Sequence, residues 1–175
     1  RDLDELRKLD GILPAGVSKE NKLATQSEID GIYTDNGITG VKNLYNGSDA
    51  STDNYTFVKS TNRYHVFTYI IGSFKTGDKI ALQFEVVSAS GFTLAAASAS
   101  VRLLDTSDNN ASDAIAFNKN DFTGIIRREF TFTRDCTNAK IYFYLSNSEA
   151  DDATLIIKNL MAYSANDPVT VYQIS

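Results

Sequence analysis

From Val41 onward the apolar residues of this chain recur at every second position. In residues 79–87 (KIALQFEVV), Ile80, Leu82, Phe84 and Val86 fall on one side and Ala81, Gln83 and Glu85 on the other. In 140–145 (KIYFYL), Ile141, Phe143 and Leu145 oppose Tyr142 and Tyr144, and Phe130 and Phe132 alternate with Thr131 and Thr133. Successive side chains of a strand point to opposite faces, so this period predicts sheets with one face in a core. Eight to ten strands are expected, near 41–45, 55–59, 63–72, 78–88, 92–104, 114–117, 124–133, 138–146, 154–163 and 169–173. Asn46-Gly47, Thr76-Gly77-Asp78, Ser90-Gly91 and the polar run 107–110 supply the turns between them. Many short strands with no helical period between them predict a sandwich or barrel. The small-residue run AAASAS at 95–100, amid Phe92, Leu94, Val101 and Leu103, predicts a strand closely overlaid by another element.

Residues 1–40 follow a different rule. Leu3, Leu6 and Leu9 recur at helical spacing, Asp2 and Asp4 suit a first turn, and Gly11 and Pro14 stand where a helix stops. Ten residues do not hold a helix alone, so the segment either docks on the domain or ends a longer coiled coil upstream. A polar connector follows, with a short helical turn expected at 27–30 and a turn at Asn36-Gly37. The chain opens on Arg1 rather than Met and is expected to be a piece of a longer protein.

Charge and composition narrow the function classes. The chain has 175 residues, enough for one core without staples, and carries 17 Lys+Arg against 22 Asp+Glu, a net −5. A nucleic-acid partner needs a basic patch, and here no Lys/Arg cluster is longer than Arg127-Arg128, a pair expected on a solvated strand edge. One cysteine, Cys136, excludes an intrachain disulfide and a Cys-rich zinc site. No run of 18 apolar residues is present to cross a membrane as a helix, and no signal peptide is visible.

Catalytic patterns fail one by one. A Ser-His-Asp arrangement would have to use the single histidine, His65, which shares a strand face with Phe67, Tyr69 and Ile71 and reads as a packed histidine. There is no G-x-S-x-G elbow and no phosphate-binding glycine loop. Glycosidases need only two carboxylates, yet most acids here lie in polar turns. Glu85 is the exception, and its strand supplies no partner. Calcium takes oxygen ligands, and 105–113 (DTSDNNASD) offers Asp105, Asp108 and Asp113. That loop lacks the glycine and glutamate of an EF-hand, since Asn110 and Ala116 stand at those positions. Glu149, Asp151 and Asp152 form a second acidic loop.

Aromatic surface remains. With 9 Tyr, 10 Phe and no Trp, both faces of the strand at 140–145 are aromatic or apolar. If Ile141, Phe143 and Leu145 face the core, Tyr142 and Tyr144 form a platform, and a tyrosine ring offers apolar contact plus a hydroxyl to a sugar. Arg102, Arg128 and Gln83 fall at outward positions by the same alternation and could orient a ligand. The competing reading covers those tyrosines with a second sheet or a subunit.

Three segments carry a family resemblance: 76–87 (TGDKIALQFEVV), 130–145 (FTFTRDCTNAKIYFYL) and 155–163 (LIIKNLMAY), with its Ile-x-Asn-Leu element. They resemble the carbohydrate-binding-module-like jelly rolls of phage tail and tail-fibre proteins, which follow a polar connector much like 21–30 (NKLATQSEID). The resemblance covers about residues 41–163. Where that family often closes with Lys-Gly and a tryptophan, this chain has ANDPVTVY at 165–172. The resemblance implies host-surface glycan recognition and frequent homotrimers.

The expectation is therefore an all-β jelly-roll sandwich over 41–175 behind a helical stalk end and connector over 1–40. It is a non-enzymatic module, on a virion tail or extracellular, that binds cell-surface glycan through Tyr142, Tyr144, Arg102, Arg128 and Gln83. No cofactor is expected, calcium on Asp105, Asp108 and Asp113 aside. Two alternatives stand: a trimerising or decorating domain of a virion, and an ancillary module of a glycan-degrading enzyme.

Overall fold

The computed structural model describes residues 41–170 with Tyr172 and Gln173. The expected helix and connector over 1–40 lie outside the described residues. Eight strands follow: β1 (Tyr55–Val58), β2 (Tyr64–Phe74), β3 (Lys79–Ser90), β4 (Ala99–Leu104), β5 (Ile115–Phe117), β6 (Ile125–Thr131), β7 (Cys136–Leu145) and β8 (Thr154–Ser164). They form two four-stranded antiparallel sheets, β1-β8-β3-β6 and β2-β7-β4-β5. The pairs 1·8, 2·7, 3·6 and 4·5 are rungs of one long antiparallel ribbon, and the pairs 3·8 and 4·7 arise when that ribbon is rolled up. That order is a jelly roll.

The core is built by the alternation read from the sequence. Ile80, Leu82 and Phe84 of β3 meet Ile141, Phe143 and Leu145 of β7, all buried. Phe143 is the hub of this core. Its ring stacks on Phe57 of the facing sheet at 4.8 Å, meets Phe84 edge-on at 5.6 Å, and lies parallel to Phe117 at 6.3 Å. Phe74 stacks on Phe132 at 4.4 Å. The buried Cys136 thiol is held up in pKa by that burial.

Three expected strands differ. Residues 41–45 run beside β8, where Leu44 N donates to the Ala162 carbonyl at 2.6 Å. There the Asn43 side chain accepts from Tyr45 N and Ala162 N, taking the place of a strand ladder. Asn159, at φ 55°, marks an irregular point of β8 where the chain near Ala50 and Ser51 docks instead. Of 92–104, only Ala99–Leu104 is strand. The alanines at 95–97 are exposed and too small to bury apolar area, so 91–98 leaves the sheet as a loop. Of the expected strand 169–173, the described residues do not extend a sheet edge. Thr170 gives its N–H and carbonyl to the amide of Gln83, so this segment lies across the outer face of the first sheet.

Phe143→Ala should cost about 3–5 kcal/mol, because it removes ring contacts to both sheets at once. Urea unfolding followed by circular dichroism checks this; a change under about 1 kcal/mol would mean that the hub is elsewhere.

Candidate functional site

The two sheets differ in what covers their outer faces. On the first, Ala81, Gln83, Met161 and Tyr163 point outward yet are buried. The strap at 165–170 lies over them: Thr170 bonds the Gln83 amide through its carbonyl at 2.6 Å, Arg127 donates to the carbonyls of Ala165 and Asp167 at 3.0 and 2.6 Å, and beneath it the Tyr163 hydroxyl donates to Gln83 Oε1 at 2.7 Å. Tyr172 and Ser51 join hydroxyls at 2.7 Å.

On the second sheet, β7 turns Tyr142 and Tyr144 outward because Ile141, Phe143 and Leu145 are held in the core. Strand pairing sets two rows across this face, Ser100–Tyr144–Tyr64 and Arg102–Tyr142–Val66. Directly opposed residues stand about 5 Å apart at Cβ, so neighbours in a row touch. Tyr142 and Tyr144 stack at 5.0 Å and 28°. Tyr64, 58% exposed, meets Tyr142 edge-on at 6.4 Å. The Arg63 guanidinium lies over the Tyr64 ring at 5.4 Å and donates to the Leu145 carbonyl at 3.0 Å. The arrangement offers flat apolar rings, three phenol hydroxyls and two guanidinium groups on one half-open surface.

The electrostatics agree with that geometry. Burial pushes the Tyr142 phenol above its usual pKa, and the neighbouring Tyr144 and Tyr64 add to this. The positive charges of Arg63 and Arg102 pull it the other way. Arg102 makes no ion pair among the described residues, and its Nε is buried without a hydrogen-bond partner.

A cleft of about 470 Å³ adjoins the platform through Arg63 and Tyr64, with Lys59, Ser60, Thr61, Asn147 and Asp151 as its other walls. Lys59 and Asp151 form an ion pair at 2.7 Å across it. Glu149 anchors the neighbouring loops. Its buried carboxylate accepts from Thr93 N and Oγ1, Leu94 N and Ala150 N at 2.6 to 3.2 Å. Burial alone would raise its pKa; those hydrogen bonds outweigh it and bring the value down to about 2. Gly91, at φ 75°, lets that loop turn close to Asp152 and Ala153, where a Cβ would stand 3.2 Å from their backbone atoms.

Of the residues expected at a ligand site, Tyr142, Tyr144 and Arg102 come together. Gln83 and Arg128 stand on the other sheet. Gln83 is 3% exposed and its amide is spent on the strap. Arg128 shares the side of β6 that carries Ile126 and Phe130, so it faces inward at the sandwich rim, stacked on Phe117 at 5.1 Å. The expected solvated edge at Arg127 is a cap instead, its guanidinium 5.7 Å from the Tyr163 ring. Among the described residues no three His, Cys, Asp or Glu side chains gather as a metal cluster. Asp105 accepts from Ser107 N and Asn109 N and pairs with Arg134, Asp108 pairs with Lys140 at 2.5 Å, and Asp113 joins neither. His65 stacks on Tyr55 at 4.5 Å and meets Asp49 at 3.0 Å. Tyr69, expected beside it, is exposed because β2 shifts register between Phe67 and Gly72. Sequence reasoning missed Tyr64 and Arg63. Tyr64 lies two places before Val66 on the same face, but only the pairing of β2 with β7 brings it to Tyr142.

The fold and this face define a jelly-roll domain with one self-covered and one open sheet. No family model matches the chain, and no curated protein matches it. Among solved structures it is similar to the arabinose-bound MgGH51 α-L-arabinofuranosidase, at 10% identity and TM-score 0.40 over 66% of this chain. It spans 18% of the length of that enzyme. It is also similar to the EclA C-terminal domain, a sugar-binding protein, at 15% identity and TM-score 0.36, covering 65% of this chain and 79% of that one. A third similar structure is the CBM22-1 xylan-binding domain from Paenibacillus barcinonensis Xyn10C, at 8% identity and TM-score 0.30, over 66% of this chain and 97% of that one.

Because Glu149 has a folded pKa below its ordinary 4.5, its contribution to stability is present above pH 4.5 and is lost as pH falls toward 2. Glu149→Gln should destabilise by about 1–3 kcal/mol at neutral pH and flatten that acid limb. Thermal melting of both proteins across the range tests it; an unchanged acid limb in the variant would assign the loss to other carboxylates.

Proposed function

We propose that the domain is a non-catalytic carbohydrate-binding module that takes a saccharide on the open face of the β2-β7-β4-β5 sheet. The observation that carries this reading is the outward-facing, half-buried stack of Tyr142 on Tyr144, with the exposed Tyr64 edge-on beside it. Sugar rings present flat C–H faces to aromatic rings while their hydroxyls meet polar groups at the margin, and Arg63, Arg102 and the cleft beyond Tyr64 supply that margin. A non-catalytic role fits the carboxylates of Asp105, Asp108 and Asp151, each held by a cation, and the packed His65.

In its finer form the proposal displays the domain on a phage tail or another extracellular surface, as a homotrimer, with a host-cell glycan as partner. The segments at 76–87, 130–145 and 155–163 support it by their resemblance to tail-protein modules. The reading as a structural virion domain has its own support: Tyr69 and Ile70 are exposed on β2, a strand at the edge of its sheet, and exposed apolar edges suit a subunit contact.

Tyr142→Ala with Tyr144→Ala should weaken glycan binding about tenfold or more, since an aromatic anchor is worth about 2 kcal/mol, and leave the domain folded. A glycan array of wild type and double variant, run with and without calcium, reads this directly. Binding retained by the folded variant sinks the site assignment. Light scattering separates the structural reading: an obligate oligomer with a blank array favours assembly over recognition.

A further inference from the structure

We infer that the open face selects acidic saccharides, with Arg102 receiving a carboxylate carried on the sugar ring that lies over Tyr142 and Tyr144. The inference rests on the reading of that face as a saccharide site and names the ligand class it takes.

The chain carries a net −5, and most basic side chains near the platform are already matched. Lys59 pairs with Asp151 at 2.7 Å, Lys140 with Asp108 at 2.5 Å, and Arg134 with Asp105. The two guanidinium groups beside the tyrosines are not. Arg63 spends one hydrogen bond on the Leu145 carbonyl and otherwise lies over Tyr64. Arg102 sits directly opposite Tyr142 across the β4–β7 ladder, half-buried, and its side chain makes neither an ion pair nor a hydrogen bond with any described residue. A partly buried charge without a partner is costly, and proteins seldom keep one where nothing is to meet it.

Geometry then selects the anion. A guanidinium is a planar fork that matches a carboxylate with two parallel hydrogen bonds. On this sheet it stands one strand away from a stacked ring pair, so a carboxylate attached to the stacked sugar reaches it without a spacer. A phosphodiester polymer would call for a row of free cations. Lys59 and Lys140, which could have extended such a row, are held by their aspartates. With Arg63 tied to the Leu145 carbonyl and laid over Tyr64, the Arg102 fork beside flat rings fits one carboxylate on one ring.

The test uses the full chain on an array of uronic-acid and sialic-acid oligosaccharides, each printed beside its carboxyl-reduced neutral counterpart, with a glycerol-phosphate polymer as a further probe. Acidic forms should bind about tenfold or more tightly than their reduced counterparts, and added salt should erode only that preference. Arg102→Gln should bring the acidic form down to the reduced one. Arg102→Lys, which keeps the charge and loses the fork, should retain part of the preference and guards against a glutamine variant that fails to fold. Equal binding of acidic and reduced forms overturns the inference and leaves the saccharide reading in place. So does a preference for acidic sugars that survives in folded Arg102→Gln, or capture of the phosphodiester polymer alone. An array blank for acidic and neutral saccharides alike overturns both readings.

Discussion

Phe143 holds the two sheets together, and much of the rest follows from where its ring must go. It stacks on Phe57 and meets Phe84 of the facing sheet while lying parallel to Phe117 of its own. Strand geometry gives its neighbours no choice: with Phe143 in the core, Tyr142 and Tyr144 must face outward. The same clamp sets the register against β2 and β4, which delivers Tyr64 and Arg102 to either side of the tyrosine pair. A slip of one residue would bury the tyrosines and expose the core, so the open face is as strongly specified as the core itself.

The sandwich treats its two outer faces differently. The chain folds its own strap at 165–170 over the first sheet, meeting Gln83 and Arg127 with its backbone and leaving Ala81, Gln83, Met161 and Tyr163 buried beneath it. Nothing among the described residues does this for the tyrosine face. The contrast explains why Gln83, outward by alternation, is structural: it lies under the strap, while Arg128, expected outward, has the parity of Ile126 and Phe130 and is turned in at the rim.

The loop end beside Tyr64 is built around acceptors rather than metal ligands. Glu149 gathers donors from two loops, and Asp151 takes the Lys59 ammonium. Asp105 and Asp108, on the other acidic loop, are likewise committed to Arg134 and Lys140. Carboxylates tied up in this way leave Arg102 and Arg63 without a carboxylate partner among the described residues, and of the two side chains only that of Arg63 has a hydrogen bond, to the Leu145 carbonyl.

Residues one apart carry information that the sequence expresses directly. The alternation of Ile141, Phe143 and Leu145 with Tyr142 and Tyr144 determined by itself that this region is sheet and that one face is aromatic, because the period of a strand is a local property. The turns at Thr76-Gly77-Asp78 and Ser90-Gly91 were legible for the same reason. What lies across a strand is not local. That Tyr64 stands beside Tyr142, that Arg102 stands opposite it, and that β1 pairs with β8 depend on ladders closed between residues far apart in the chain. Nor does alternation tell which outward face stays open. That was decided by the strap, whose backbone bonds to Gln83 exist only once β3 and β8 lie side by side, so the tertiary structure alone separates a buried glutamine from a half-open tyrosine pair.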